Sequence, residues 1–312
     1  MFKFIRRPVS LGQLLRDKIN GAPGKLITWY FFKLKETTDN NNKGEWASMN
    51  TELKIMSFNI RTLHGDDGTV NCWDNRKNRA VRVIDAFAPD VVGLQEAYEA
   101  QTDYLLKHSR LPYRSIGTSR LGDTSDEYVN ILYRTDKFDA VQAGQFWLSE
   151  TPDVPGSRSS LDSDYPRICT WVRLQAKDGS ADIYYFNIHF ALKEAAQVQA
   201  AKLMLERVGQ IAGSTGLPVF IGGDFNSTEQ GEAYLLLQGS DFTDTWTQSG
   251  QDLAGTCTFG NYTGDTDGPH IDWIFQRGAG PVKSIVINRW NEDGLYPSDH
   301  YPVELTVEIP GR

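Results

Sequence analysis

Several carboxylates and amides in this sequence stand directly beside apolar runs. Asn59 ends the run 53–59, and Gln95-Glu96 follows 90–94. Gly222-Gly223-Asp224-Phe225-Asn226 closes the run that starts at Pro218, and Ser298-Asp299-His300 precedes the last one. A carboxylate in such a place is badly solvated unless it lines a cleft. Glu96, Asp224 and Asp299, with the amides of Asn59 and Asn226, form an oxygen-rich set of the kind that hard cations need. Mg²⁺ typically takes one or two carboxylates and completes its shell with water and substrate phosphate. No paired cysteines and no His-Glu-x-x-His helix point to zinc. Two histidines accompany the carboxylates: His189 ends the run 183–189, and His300 adjoins Asp299. In phosphoryl chemistry the barrier falls through charge neutralisation and positioning, so a histidine held by a carboxylate suits a phosphate oxygen. Asp272 lies inside the apolar run 271–275, where an unpaired carboxylate is costly, and His300 is the partner this implies.

Each segment alone has an ordinary reading. Gly-Asp-x-Asn after a strand is a common turn, Gln-Glu a common helix start, Ser-Asp-His a loop with a cap, and His189 a structural histidine. Independent turns have no reason to recur in this order. The elements that must position them alternate along the chain. Runs 53–59, 91–95, 129–133, 168–174, 183–189, 218–222, 271–275, 282–287 and 303–307 read as strands. Helical stripes cover 79–87, closed by Pro89, and 194–211, the longest helix. Many strands with two main helices predict packed sheets with helices outside.

The ordered set Asn59, Gln95-Glu96, Asn187-Ile188-His189, Gly223-Asp224-Phe225-Asn226, Ile271-Asp272-Trp273-Ile274 and Ser298-Asp299-His300 resembles the endonuclease/exonuclease/phosphatase superfamily. The resemblance runs from about residue 53 to 309. Trp73-Asp74-Asn75-Arg76, the segment 146–152 and Arg167 are similar to a group of bacterial members. It implies an α/β fold, a DNase-I-like four-layer α/β/β/α sandwich of two mixed β-sheets with the site at one sheet edge. It also implies roles. Glu96 would be the principal ligand of Mg²⁺ or Mn²⁺, assisted by Asn59 and Asp299. Asp224 would orient or deprotonate the attacking water beside Asn226, His189 would contact the phosphate, and Asp272 would hold His300. Arg76 and Arg167 are candidate bidentate donors to substrate phosphate. One departure stands out: the sequence after His189 reads Phe190-Ala191-Leu192-Lys193, where related sequences often place a further Asp.

Composition narrows the function. Of 312 residues, 40% are apolar and 12% aromatic, enough for a proper core and against global disorder. No stretch approaches the roughly 18–20 apolar residues of a membrane span. The net charge of −8 divides into +7 over residues 1–35 and −15 over the rest. An acidic body disfavours avid, sequence-independent nucleic-acid binding. Three widely separated cysteines, Cys72, Cys169 and Cys257, favour a reducing compartment. Residues 1–50 read as a basic extension and polar linker, and 51–312 as the catalytic domain. The aromatic group 29–32 between basic residues suits an anionic membrane surface, or equally the acidic body of the protein itself. The expectation is a monomeric, cytoplasmic or peripheral-membrane hydrolase of a phosphorylated small molecule or lipid. A nuclease is the alternative within the same chemistry, and an inactive scaffold the alternative outside it.

Overall fold

The computed structural model describes residues 51–311. The readings made for residues 1–50 lie outside the described residues. In chain order the elements begin with β1 (Thr51–Asn59), α1 (Trp73–Phe87), β2 (Val91–Gln95), α2 (Glu99–His108), β3 (Tyr113–Ile116) and β4 (Ile131–Arg134). There follow β5 (Phe138–Trp147), β6 (Ile168–Ala176), β7 (Asp182–His189), α3 (Glu194–Ala212), β8 (Val219–Asp224) and α4 (Glu232–Gln238). The last are β9 (Thr243–Asp244), α5 (Thr245–Ser249), β10 (Asp272–Arg277), β11 (Val282–Ile287) and β12 (Val303–Ile309).

The strands form two six-stranded sheets, ordered β11-β12-β1-β2-β4-β3 and β5-β6-β7-β8-β10-β9. Each sheet has one parallel pair at its centre, β1 with β2 and β7 with β8, and every other pair is antiparallel. A parallel pair needs a crossover, and α1 and α3 supply the two. The sheets pack face to face through these central pairs.

Alternation along the strands sorts the layers. Leu53 and Ile55 of β1 join Val91, Ile183, Tyr185 and Ile221 in the large core. Met56 and Phe58 point the other way and pack with Val92, Leu94, Ala80, Val83, Ile84 and Leu105 under α1 and α2. On the far side Ala200, Met204 and Val208 of α3 complete the large core. The result is the expected four-layer sandwich. β7 and β8 are buried along their whole length, which explains why they read as unbroken apolar runs.

Some elements differ from expectation. α1 begins at Trp73, six residues before the stripe read at 79–87, so the Trp73–Arg76 segment is helical. It stops where Ala88 turns left-handed (φ 54°) ahead of Pro89. β5 was not legible because it is an edge strand, half exposed and polar, with an irregularity between Ala140 and Gln142. All three cysteines are free. No described helix is long and apolar enough to cross a membrane.

Candidate active site

The two parallel pairs end at the same edge of the sandwich, and that edge holds the polar residues. Register places Asn59 opposite Gln95 in one sheet, and His189 opposite Asp224 in the other. β10 starts at Asp272, antiparallel to β8 and paired with Asp224. The segment Ser298–His300 leads into β12, which borders β1. Carboxyl ends of parallel strands are where open α/β sheets bind ligands, because the chain leaves the sheet there and exposes the strand ends.

Local backbone conformation aims the side chains. Glu96 takes a left-handed conformation (φ 61°), as does Asn226 (φ 47°), so each turns sharply out of its strand. Gly223 (φ 148°) has no room for a side chain, since a Cβ would come within 2.0 Å of Ile188 O. Beneath the site a buried amide ladder joins the sheets. Gln95 Nε2 donates to Asn187 Oδ1 at 2.7 Å, and Asn187 Nδ2 donates to Leu94 O and Asn130 O, each at 2.8 Å.

Asn59, fully buried, ties the ligand set together. Its Nδ2 donates to Glu96 Oε1 and to Asp224 Oδ2, both at 3.0 Å. Its Oδ1 accepts from Arg61 N at 3.0 Å. Glu96 Oε2 accepts from Thr62 N at 2.9 Å. Asp224 Oδ1 accepts from Asn226 N at 2.8 Å, while the Asn226 side chain donates to Phe190 O at 3.0 Å. His189 Nε2 lies 3.5 Å and His300 Nε2 3.8 Å from Asp224 Oδ2. The predicted pair forms: His300 Nδ1 is 2.8 Å from Asp272 Oδ2. Asp272 Oδ1 is buried without any hydrogen bond, so His300 is the sole side-chain partner of that carboxylate among the described residues.

Burial, and after it the Asp272 charge, push the Asp224 carboxyl up to about 7. Burial likewise raises Asp299, with Glu96 adding to it and His300 and Arg61 opposing. Burial by itself would lower His300, but Asp272, Asp224 and Asp299 together hold it well above the ordinary imidazole range. His189 goes the other way, driven well down by burial and then by Arg167, His300 and Arg120, so it is neutral. One buried histidine is therefore a cation and the other is not.

This donor set fits a hard divalent cation, which would offset the carboxylate repulsion that adds to burial in raising Asp224 and Asp299. Donor atoms within 4.8 Å of one another group Glu96 with His189 and Asp224, and Asp224 with Asp272 and His300. Asp299 belongs to neither group. Its Oδ1 lies 3.2 Å from Ser298 Oγ, and its Oδ2 faces Arg61 Nε at 3.5 Å. Asn59 acts in this arrangement as a tether through its NH₂ group, and a half-turn of the amide would bring Oδ1 to the same point.

The two arginines separate cleanly. Arg76 was expected to bind phosphate, but its guanidinium is buried among main-chain carbonyls. It is fully buried, and all five of its N–H donors go to main-chain carbonyls: Asn71, Ile60, Pro297, Arg61 and Thr62. It clamps the loop after β1 to the segment that leads into Asp299. Arg76→Lys is expected to lower the unfolding free energy by about 3 kcal/mol, because a lysine cannot satisfy these carbonyls. Urea denaturation measures it, and a variant as stable as wild type would refute the clamp. Arg167 is half-buried and makes no side-chain hydrogen bond or ion pair among the described residues, with Asp224, Glu127 and Glu96 in its electrostatic surroundings. Arg61, beside Asp299 and ion-paired to Asp66 at 3.2 Å, was not anticipated. Its position two residues after Asn59 was the available signal. His270 stacks on Trp273 with ring centroids 3.7 Å apart and belongs to the core.

The model of the Endonuclease/Exonuclease/phosphatase family matches residues 56–300. A family protein of known structure from Bacteroides thetaiotaomicron superposes with a TM-score of 0.78 at 30% identity, over 84% of this chain and 97% of that one. A mannosyl-6-phosphatase from the same organism gives 0.75 at 30% identity, over 82% and 99%. The human Nocturnin catalytic domain shares the fold, with a TM-score of 0.68 at 17% identity, over 84% and 96%. An uncharacterized protein of Acanthamoeba polyphaga mimivirus is 24% identical over 194 residues, 57% of this chain and 68% of its own length. A family match over most of the chain, and a like fold across more than four-fifths of it, place this protein in the endonuclease/exonuclease/phosphatase family of metal-dependent phosphoester hydrolases.

Proposed function

We propose that the protein is a Mg²⁺- or Mn²⁺-dependent phosphomonoesterase acting on small sugar phosphates. The observation that carries this reading is Arg167: a half-buried guanidinium with no partner among the described residues, beside the carboxylate cluster, complements a dianionic phosphate. The acidic body argues against a polyanionic substrate. The likeness to a mannosyl-6-phosphatase supports the choice of a sugar ester.

Glu96 and Asp224 would hold the ion with Asn59, and Asp299 would stand beside them. The bound ion supplies charge neutralisation on the phosphate oxygens. Asp224, whose Oδ2 lies between Asn59 Nδ2 and the two histidines, would orient water and accept its proton. Protonated His300 would donate from Nε2 to a phosphate oxygen while Asp272 holds Nδ1. Neutral His189 would contact the phosphate from the second sheet.

The test is phosphate release from hexose 6-phosphates, set against plasmid, a dinucleotide, phosphoinositides and sphingomyelin. EDTA is expected to abolish hexose phosphate hydrolysis, and Mg²⁺ or Mn²⁺ to restore it, since the donors are oxygen and imidazole with no thiolate. Restoration by Zn²⁺ alone would refute the metal assignment. Plasmid cleavage that outpaces phosphate release would replace the phosphomonoesterase with a nuclease.

A further inference from the structure

The rim of the site beside the second sheet carries an aromatic ring that is anchored yet uncovered. Tyr165 is 54% exposed, and its hydroxyl makes no hydrogen bond among the described residues. The Arg120 guanidinium lies 4.5 Å from its ring centroid. Arg120 is itself buried and fixed by Asp126 at 3.0 Å and Glu127 at 2.6 Å. The loop that carries Tyr165 is strapped down as well: Arg158 Nη1 donates to Ser163 O at 3.0 Å, and Lys193 pairs with Asp162 at 3.2 Å. An exposed tyrosine on a mobile loop would need no explanation. A ring backed by a fixed cation keeps one face open at little entropic cost.

What stands next to that face matters. Tyr165 lines a recess together with Arg167, Ser159, Asp162 and Ala191. The chain after His189 buries Phe190 and Ala191 and then exposes Leu192, which is 73% exposed. Tyr165 therefore offers an exposed aromatic face in the same recess as a guanidinium that has no hydrogen bond or ion pair among the described residues. Those two features match the two halves of a phosphate ester: the guanidinium suits the phosphate, and the ring suits a cyclic leaving group with an apolar face.

We propose that Tyr165 is the leaving-group subsite, on which the ring of the esterified alcohol packs while Arg167 takes the phosphate. The proposal rests on the phosphomonoesterase reading and adds what lies beyond the scissile bond. A pyranose and a nucleoside both present such a face, and substrates of each kind separate them.

Steady-state kinetics of Tyr165→Ala and Tyr165→Phe test it, with mannose 6-phosphate and a nucleoside 5′-monophosphate as ring substrates and ethyl phosphate as the ringless control. Tyr165→Ala is expected to raise KM for the preferred ring substrate about tenfold, as loss of a stacking contact does, with kcat within about twofold. Ethyl phosphate is expected to show no change, and Tyr165→Phe to behave as wild type. Equal losses on ring and ringless substrates, or no loss on either, would overturn the subsite. If wild type releases phosphate from no monoester, the phosphomonoesterase reading fails by itself. The comparison then moves to a dinucleotide against a dialkyl phosphate, where the same ring-dependent rise in KM supports the subsite and its absence refutes it.

Discussion

Glu96→Gln is expected to lower kcat about 10³-fold or more, a barrier increase of about 4 kcal/mol, without unfolding the protein. The side chain nearly keeps its shape, and one oxygen can still accept from Thr62 N or Asn59 Nδ2. What disappears is a full negative charge in the group formed with Asp224 and His189. In EDTA the variant should melt no lower than wild type, because removing one charge eases the repulsion that Asp299 feels. Mg²⁺ should raise the melting temperature of wild type but not of the variant, since binding to the folded state is what stabilises. Activity within about threefold of wild type, under ~1 kcal/mol of barrier, would refute Glu96 as a ligand.

The His300–Asp272 pair carries the second large effect. His300→Ala and Asp272→Asn should each cost about 10²- to 10³-fold in kcat, and the double variant little more than the worse single one. The reason is geometric. Among the described residues the Asp272 carboxylate has no other side-chain partner, and His300 is positioned and kept charged largely through it. Penalties that add in full would show that the two residues act separately. A second measurement guards against simple unfolding. Asp272 raises the pKa of His300, so Asp272→Asn must lower it. If His300 acts as the protonated donor, activity is lost as pH rises through that pKa. The alkaline limb of the kcat profile should therefore move to lower pH in Asp272→Asn. An unmoved limb would mean that His300 is not the titrating donor.

Much of this was legible because the central strands are short apolar runs with a polar residue at the end. β2 and β11 lie where the pattern places them, and β1, β7, β8, β10 and β12 agree to within a few terminal residues. Burial on both faces makes β7 and β8 continuous apolar runs, and a hydrophilic residue there signals the strand end. The edge strand β5 and helix α2 escaped because half-exposed elements carry a weak pattern.

The sequence by itself determined the chemical inventory: three carboxylates, two amides and two histidines beside apolar runs, and an aspartate within a strand that required a partner. The pairing of Asp272 with His300 follows from the cost of burying a lone charge, so it could be anticipated. Only the tertiary structure decided the use of each group. Arg76 and Arg167 are the same residue type, yet one is consumed by five carbonyls, including that of the distant Pro297, and the other is left free beside the cluster. His189 and His300 differ in the same manner, neutral and charged, according to the side chains that folding brings to each. A sequence states which atoms can donate, accept or ionise. Whether they face a carbonyl, a carboxylate or a substrate depends on segments far apart in the chain, and close packing alone brings those together.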